Sequence, residues 1–557
     1  MSGTYYDLGS HQRPITTTSD EAQAWFDRGL VWTYGFNHEA AIACFENALA
    51  LDPTCAMANW GIAFALGPNY NNPWAAFSQD ELVEAVASAH DQVEQAARNI
   101  DIQPVERDLI SALSRRYPSP TPADDCAVWD DDYATAMRSV HEAHPDDLDV
   151  ATLFADALMN RTPWALWDLR TGEPADHAST VEAREVLERA LDTPEGQRHP
   201  GVLHMYIHLM EMSPHPEAAL RAADWLRGVA PDAGHLEHMA THIDVLCGHY
   251  QAVVDSNSAA IAADLRYWQL EGAMNVYSLY RAHNYHFKLY GAMLMGQIEP
   301  ALEAADGLET TVPIEVIAAP GMADLLESFH SMRMHVLIRF GRWDEIIATS
   351  LPDDQDLMSM TTAVIRYAKG VAHAASGRVE EAEAERVEFR RAMSRVPESR
   401  TLFNNTCQDI LAIASEMLDG EIAYRRGEFD TAFDHLRRSI SLDDGLPYDE
   451  PWGWMQPTRH AYGALLLEQG HVADAEAVYR GDLGFDDSLP RPHQHPDNVW
   501  SLHGLHECLE LLGRPAEASM VKLRLDLAMA RTDVEINASC YCRLTHGIGT
   551  PGDRGQD

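Results

Sequence analysis

Residues 22–53 read AQAWFDRGLVWTYGFNHEAAIACFENALALDP. Large apolar, small and aromatic residues recur in this stretch at the spacing of a helical hairpin, and a proline ends it; the positions are Trp25, Gly29, Trp32, Ala41, Phe45, Ala48 and Pro53. Small residues let two antiparallel helices approach, aromatic residues fill the space between hairpins, and proline stops a helix. The stretch therefore fits the 34-residue tetratricopeptide pattern.

The turn of this hairpin recurs along the chain. A glycine is followed five residues later by a small or apolar residue at Gly35/Ala40, Gly248/Val253, Gly296/Ala301, Gly341/Ile346, Gly377/Ala382, Gly427/Ala432, Gly470/Ala475 and Gly513/Ala518. Glycine readily adopts the left-handed conformation that ends a helix. We predict an all-α fold, a tetratricopeptide-like α-solenoid of stacked antiparallel helical hairpins.

Irregular insertions rich in Pro and Trp interrupt the predicted hairpins at 68–74, 118–125, 163–174, 446–457 and 486–496. We predict one continuous solenoid over 1–535, with N-terminal repeats at 20–145, histidine-rich repeats at 146–300 and C-terminal repeats at 301–535. A tail containing Cys540-Tyr541-Cys542 follows at 536–557.

The charge balance excludes some classes of partner. Lys and Arg total 41 against 86 Asp and Glu, for a net charge of −45. Nucleic acids and anionic membranes would be repelled by such a surface, so we expect neither as a partner. The first residues lack the pattern of a secretory signal, and no apolar stretch is long enough to span a membrane. We therefore expect a cytoplasmic protein.

Histidines are concentrated in one region, where ten of the 27 lie between His199 and His286. Seven recur about one helical turn apart and are our predicted metal ligands: His204, His208, His235, His238, His242, His283 and His286. On a helix, residues at such spacings share a face. Imidazole binds copper, iron and zinc, and of these we expect copper most, with iron or zinc as alternatives.

Two carboxylates complete the predicted site. Glu211 stands one helical turn beyond His208, and Asp156 lies in an earlier predicted helix. We expect one or both to orient the imidazoles through the ring nitrogen that does not bind metal. The zinc-protease HExxH motif, the GxSxG nucleophile turn and the glycine-rich loops that bind ATP or NAD are all missing from the sequence.

The pair Cys540 and Cys542 allows several interpretations: a soft-metal site, a redox disulfide, or two packed thiols. Two aromatic stretches, around Tyr448 and around Tyr70 with Trp164, either line pockets or anchor loops. We interpret His38, His330 and His335 as structural.

Several segments resemble a large bacterial family of tetratricopeptide-repeat proteins with a histidine-rich centre and, more distantly, tetratricopeptide repeat protein 38. They include HPGVLHMYIHLMEMSPHP (199–216), GHLEHMATHIDV (234–245), HNYHF (283–287) and ASCYC (538–542). The resemblance implies a helical-repeat fold and no particular reaction. Ala240 stands where the family pattern has a proline, so the helix there is expected to begin differently.

Two functions follow. The first is a metal-dependent redox enzyme, with copper or iron favoured, that acts on a small organic substrate in the groove of the solenoid. The second is a non-catalytic scaffold that binds a peptide or protein partner, which is the common use of such repeats. Given the charge of −45, that partner would be basic or amphipathic.

Overall fold

The computed structural model describes residues 5–272, 275 and 277–543. The chain divides into two compact units: unit 1 comprises Met1–Ile243 and Ala259–Glu271, and unit 2 comprises Asp244–Ser258 and Gly272–Asp557. Each unit is described by itself.

Unit 1 is built from the first eleven helices and the end of the twelfth. These are α1 (Asp20–Tyr34), α2 (His38–Leu51), α3 (Ala56–Ala65), α4 (Gln79–Ala97), α5 (Pro104–Arg116), α6 (Ala127–Ala143), α7 (Leu148–Met159), α8 (Thr180–Leu191), α9 (Pro200–Glu211), α10 (Leu220–Leu226), α11 (Gly234–Leu246) and α12 (Tyr250–Glu271). Short 3-10 helices lie at Trp74–Ala76, Gly196–Arg198 and Pro216–Ala219. The last three residues of α11 and the first nine of α12 belong to unit 2.

The described residues of unit 2 form fourteen further α-helices and one short hairpin of strands. The helices are α13 (Tyr277–Met295), α14 (Ile298–Thr311), α15 (Ile314–Ile317), α16 (Met322–Leu326), α17 (Met332–Arg339), α18 (Trp343–Ala348), α19 (Ser359–Ala375), α20 (Val379–Met393), α21 (Cys407–Arg425), α22 (Phe429–Asp443), α23 (Thr458–Glu468), α24 (Val472–Asp482), α25 (Val499–Leu511) and α26 (Pro515–Met529). The antiparallel strands are β1 (Thr401–Leu402) and β2 (Asn405–Thr406). Further 3-10 helices lie at Glu327–Ser331 and Arg491–His493.

Most predicted glycine turns have the expected backbone. All the predicted turn glycines except the first, Gly35, have φ between 63° and 82°. These seven are Gly248, Gly296, Gly341, Gly377, Gly427, Gly470 and Gly513. After each, the next N–H bonds to the carbonyl five residues back, as from Arg378 to His373 and from His471 to Leu466. This bond is typical of a helix that ends in a left-handed residue. The residue that was predicted to pack in the following helix is buried in all seven.

The first turn differs from the prediction by one residue. Gly35 has φ −92°, and Phe36 is the left-handed residue, with φ 55°. The N–H of Asn37 accordingly bonds to the carbonyl of Trp32, and Ala41 rather than Ala40 is the fully buried partner. The prediction was wrong at this turn because the sequence pattern favours glycine for a left-handed conformation.

The predicted fold class is confirmed: the described residues form an all-α, tetratricopeptide-like array of antiparallel helical hairpins. The hairpin α1–α2 shows why small residues recur, since a Cβ on Gly29 would lie 2.5 Å from the Phe45 ring. All five predicted insertions fall between α-helices. Within the described residues, no helix is long and apolar enough to cross a membrane.

The predicted tail at 536–557 is described as far as Arg543. Ile536, Ala538, Ser539, Cys542 and Arg543 are all buried within unit 2. Residues 544–557 lie outside the described part of the chain.

Candidate metal centre

Two helices of unit 1 carry most of the predicted ligands. Helix α9 begins at Pro200, and His199 caps it by accepting the N–H of Val202 on its Nδ1 atom at 3.2 Å. Helix α11 begins at Gly234, where a Cβ would lie 1.9 Å from Asp264 Oδ1, so the close approach of α12 requires glycine there. Ala240 lies inside α11, which continues without interruption to Leu246.

The two helices bring three imidazoles together. His204 and His208 of α9 and His235 of α11 each offer a ring nitrogen within 4.8 Å of the other two. The ring centroids of His204 and His208 are 4.7 Å apart, and those of His204 and His235 are 5.0 Å apart. All three side chains are buried, with residue exposures of 0–1 %.

Hydrogen bonds set the orientation of two of these rings. His204 Nδ1 lies 2.5 Å from the carbonyl oxygen of Tyr34, and His208 Nδ1 lies 3.0 Å from Glu211 Oε1. A carbonyl oxygen accepts only, so His204 must donate from Nδ1, which leaves Nε2 unprotonated in the neutral ring. Neither Nε2 atom has a hydrogen-bond partner among the described residues.

Burial controls the protonation of these groups. It lowers the pKa of His204 well below its ordinary value and that of His208 to about 3, so both imidazoles are neutral near pH 7. Burial also raises the pKa of Glu211 well above its ordinary value. A cation held by the rings would favour the ionised carboxylate, which accepts Nδ1–H donors.

Glu211 joins the two helices. Its Oε1 atom contacts His208, and its Oε2 atom lies 3.2 Å from His242 Nδ1. One carboxylate therefore lies between an imidazole of α9 and one of α11. That it orients these rings around a metal ion stays a prediction.

His238 and His242 form a second imidazole pair on α11. Their Nε2 atoms are 2.9 Å apart. The hydroxyl of Thr241 donates to the His238 carbonyl at 2.7 Å, and its oxygen lies 3.3 Å from His238 Nδ1. Nδ1 of each ring lies beside an oxygen acceptor and therefore carries the proton of the neutral ring. The two Nε2 atoms then face each other with lone pairs, an arrangement that favours a proton or a cation between them.

Aromatic rings surround the three-imidazole cluster. Phe36 lies 4.5 Å from His204, 5.8 Å from His208 and 5.6 Å from His235 between ring centroids. Tyr70 and Trp164 pack on the other side of His208, at 4.9 Å and 6.2 Å. The aromatic stretch around Tyr70 and Trp164 thus encloses the histidines and excludes water from them.

Asp156 does not join the cluster. No hydrogen bond or ion pair links it to the seven predicted ligands in the described part of the chain, and its Oδ2 atom has no hydrogen-bond partner there. It lines a very small cavity of about 10 Å³ with His38 and Asn69. Burial raises the pKa of Asp156 to about 6.

His283 and His286 lie on α13, in unit 2. His286 is fully buried, and its Nε2 atom is 2.9 Å from Met455 Sδ. The ring of His283 packs edge-on against Phe403 at 5.1 Å. A nitrogen and a thioether sulfur are both donors that soft metals accept.

A third group of polar residues in unit 1 was not predicted. Asp149 Oδ1 accepts from His11 and His199 at 3.1 Å each and from the Tyr34 hydroxyl at 2.6 Å, while Oδ2 accepts from Arg13 at 2.9 Å. Since His199 donates from Nε2 and accepts on Nδ1, both of its nitrogens are used. We interpret this group as structural.

Two residues of the site gave no signal in the sequence. The carbonyl of Tyr34 and the ring of Phe36 belong to the first hairpin, 170 residues before His204 in the case of Tyr34. Phe36 has a left-handed backbone beside a predicted glycine turn. No pattern in the sequence indicates this conformation.

The comparisons with known proteins give fold-level similarities alone. No family model matches the chain, and no curated protein matches it. A chain in the crystal structure of the APC/C hetero-tetramer Cut9-Hcn1 is similar, at 13 % identity and a TM-score of 0.30, over 89 % of this chain and 78 % of the other. A chain in the structure of Naa15/Naa10 bound to HypK-THB is similar at 12 % identity and a TM-score of 0.24, over 92 % of this chain and 70 % of the other. At these TM-scores, neither similarity bears on function.

Proposed function

We propose that unit 1 binds a transition-metal ion through the imidazoles of α9 and α11, and that the protein uses it in redox chemistry on a small organic substrate. One observation carries this proposal. The Nε2 atoms of His204 and His208 are buried side by side without hydrogen-bond partners among the described residues, and each Nδ1 atom lies on an oxygen.

These residues fit a metal ion. Leaving a buried polar atom unsatisfied costs about 1–3 kcal/mol, and two such nitrogens together are difficult to explain by packing. Two nitrogens bound to one ion at about 2.0–2.1 Å lie no more than about 4 Å apart, so the cluster needs only a small contraction. His235 supplies a third nitrogen within the same 4.8 Å limit.

The carboxylate of Glu211 acts as a positioning group in this proposal. One of its oxygens is hydrogen-bonded to Nδ1 of His208 and the other lies 3.2 Å from Nδ1 of His242, so the carboxylate is placed to orient both rings. A metal-binding histidine commonly donates its other N–H to a carboxylate. The acceptor of the His204 ring is a backbone carbonyl, which a side-chain substitution cannot remove.

The ligand set favours copper, with iron or zinc as alternatives. Imidazole nitrogens dominate the cluster, and the contacts of Glu211 are with Nδ1 atoms. Copper and iron prefer such nitrogen ligands, and either would supply one-electron chemistry when bound. We also propose that the protein is cytoplasmic and that it is related to the bacterial repeat proteins with a histidine-rich centre that its sequence resembles.

Metal analysis of untagged protein tests the proposal. We expect a stoichiometric transition metal in the native protein and loss of that metal in His208→Gln. His215→Gln is the matched control, because His215 lies just beyond the same helix and its side chain is 75 % exposed. Protein that binds no copper, iron or zinc above trace, or equal loss in both variants, would contradict the proposal.

A second candidate function is a scaffold for a basic or amphipathic partner. The helical hairpins and the net charge of −45 favour it. Defined basic amphipathic peptides should then bind, more weakly as salt rises, while their charge-reversed counterparts should not. Binding that His208→Gln leaves unchanged would separate this function from the metal site, and equal binding of both peptide sets would contradict it.

A further inference from the structure

A small cavity of about 40 Å³ in unit 2 is lined by both cysteines of the tail. Cys540 and Cys542 are joined by a disulfide bond, and both line the cavity. Arg339, Trp454 and His460 are among the other residues that line it. The two cysteines thus lie beside a space large enough for a small polar group such as a carboxylate.

Two arginines hold the backbone of the disulfide segment. Arg339 donates to the carbonyl of Ser539, and Arg425 donates to the carbonyl of Cys542. Arg425 is paired with Glu421 at 2.8 Å, so its charge is compensated. The hydroxyl of Ser539 donates to the His460 carbonyl at 3.0 Å, which fixes the segment on α23.

Arg339 is different, because no carboxylate among the described residues pairs with it. It is 4 % exposed, and its guanidinium lies 3.9 Å over the Trp500 ring. Its Nη1 atom donates to His460 Nδ1 at 2.9 Å, while Nε has no hydrogen-bond partner in the described part of the chain. A buried cation without a directly paired anion favours an anionic ligand.

His460 cannot neutralise this charge. Its Nε2 atom lies 3.0 Å from Asp482, which accepts, so its Nδ1 atom accepts from Arg339. The carboxylate of Asp482 is shared with His495 Nδ1 at 2.8 Å and with the Ser501 hydroxyl at 2.6 Å. The carboxylate of Asp482 therefore lies one imidazole away from the guanidinium, and that of Glu421, which also lines the cavity, is paired with Arg425.

The other six cysteines of the chain are not part of the disulfide and do not line this cavity. Cys44, Cys55, Cys126, Cys407 and Cys508 are buried free thiols, and Cys247 is half-buried. Burial raises the pKa of Cys407 and of Cys508 to about 12, so these thiols do not ionise near pH 7. Only a thiolate attacks a disulfide, and nearby cations stabilise it.

We propose that Cys540 and Cys542 form a redox-active dithiol–disulfide pair, whose exchange partner is a small thiol that carries a carboxylate. The carboxylate binds Arg339, and the thiol reaches the disulfide in the same cavity. Cys540 is the attacked residue, because it is the more exposed of the two, whereas Cys542 is 3 % exposed.

The exchange balances without a further reactant. A thiolate RS⁻ attacks Sγ of Cys540, the bond between the two cysteines breaks, and Cys542 leaves as a thiolate. A second RS⁻ attacks the mixed disulfide, which releases RSSR and the Cys540 thiolate. Two thiols are oxidised, one protein disulfide is reduced, and the two protons of the thiols return to the two cysteines.

The test compares two thiols of similar size on the oxidised full-length protein. At equal thiolate concentration, 3-mercaptopropionate should reduce the disulfide about tenfold faster than 2-mercaptoethanol, the effect of about one charge-assisted hydrogen bond. Arg339→Gln should remove the difference by slowing only 3-mercaptopropionate, and Arg339→Lys should retain part of it. Alkylation and mass spectrometry measure the thiols released.

A second measurement uses the unaltered protein, in case Arg339→Gln does not fold. Excess propionate should slow the reaction of 3-mercaptopropionate and not that of 2-mercaptoethanol. Treated with the disulfide of 3-mercaptopropionate, Cys542→Ser should keep a mixed disulfide on Cys540, because it has no second thiol to release it, whereas Cys247→Ser should behave as the native protein. Equal rates for the two thiols, no effect of propionate, or a cysteine pair that stays reduced in oxidised glutathione would overturn the proposal.

Discussion

Glu211 is the residue whose position has the largest chemical consequence. It is 1 % exposed and contacts the Nδ1 atoms of both His208 and His242. A carboxylate buried at this depth is unfavourable unless cations or N–H donors surround it. The burial of Glu211 between two helices is therefore best explained if its carboxylate orients the imidazoles.

Replacement of Glu211 by glutamine keeps the size of the side chain and removes its negative charge. If Glu211 orients metal-binding rings, Glu211→Gln should weaken metal affinity by about 10–100-fold, as is usual for such partners. Competition with a chelator of known affinity measures the change. Glu217→Gln, at an exposed position after the same helix, should leave the affinity unaltered. Equal affinity in native protein and Glu211→Gln would refute the positioning role.

At the scale of the helical element, the left-handed turn is the repeated unit. Seven of the eight predicted glycine turns end a helix with positive φ, and Phe36 does so at the remaining one. Their surroundings differ: a Cβ on Gly470 would meet nothing within 4 Å, whereas one on Gly248 would lie 2.4 Å from the carbonyl oxygen of Pro496. Backbone strain and steric overlap can therefore be measured separately.

Gly470→Ala should lower the free energy of unfolding by about 1 kcal/mol, since a left-handed L-residue is strained by about 1–2 kcal/mol. Gly470→Asn should lose less, because asparagine tolerates this conformation. Gly248→Ala should lose more than either, since its Cβ also overlaps a backbone atom. Urea denaturation measures all three. Equal losses for Gly470→Ala and Gly248→Ala would contradict this account.

At the scale of the whole molecule, buried histidines make stability depend on pH. Burial lowers the pKa of His335, His460 and His493 to about 4. In the unfolded chain a histidine binds its proton near pH 6.5. Between these values the unfolded state holds more protons, so the free energy of unfolding falls as the pH falls.

Each of these histidines should contribute up to about 1.4 kcal/mol per pH unit between about pH 6.5 and 4. Weaker repulsion among carboxylates opposes this effect, but most carboxylates titrate nearer pH 4. Denaturation at pH 7, 6 and 5 measures the slope, and His335→Gln should reduce it by one proton. A free energy of unfolding that stays constant from pH 7 to 5 would rule this out.

The net charge of −45 predicts a second dependence, on salt. Like charges repel across a compact surface, and salt screens them, with a Debye length of about 10 Å at 0.1 M. Raising sodium chloride from about 0.05 to 0.5 M at pH 7.5 should therefore increase Tm by several degrees. Sucrose, which is uncharged, serves as the control for solvent exclusion. An unchanged or lower Tm would show that ion pairs outweigh the repulsion.

Much of the fold followed from local chemistry. The hairpin over residues 22–53, seven glycine turns and all five insertions were predicted correctly, because helix periodicity and glycine conformation depend on neighbouring residues. The predicted ligands on α9 and α11 come together in unit 1. Helical spacing was enough to place His204 with His208, and His238 with His242, on shared faces.

Contacts between distant hairpins depended on the tertiary structure. It decided that the Tyr34 carbonyl receives His204 from 170 residues away, that Phe36 is left-handed, and that Asp156 lies apart from the imidazoles. It also decided that the cysteine tail packs beside Arg339. The physical reason is that periodicity determines which face a side chain occupies, whereas its partner depends on how separate hairpins stack. The sequence alone therefore determined the helices and most of the turns, and the packing of those helices decided which side chains form sites.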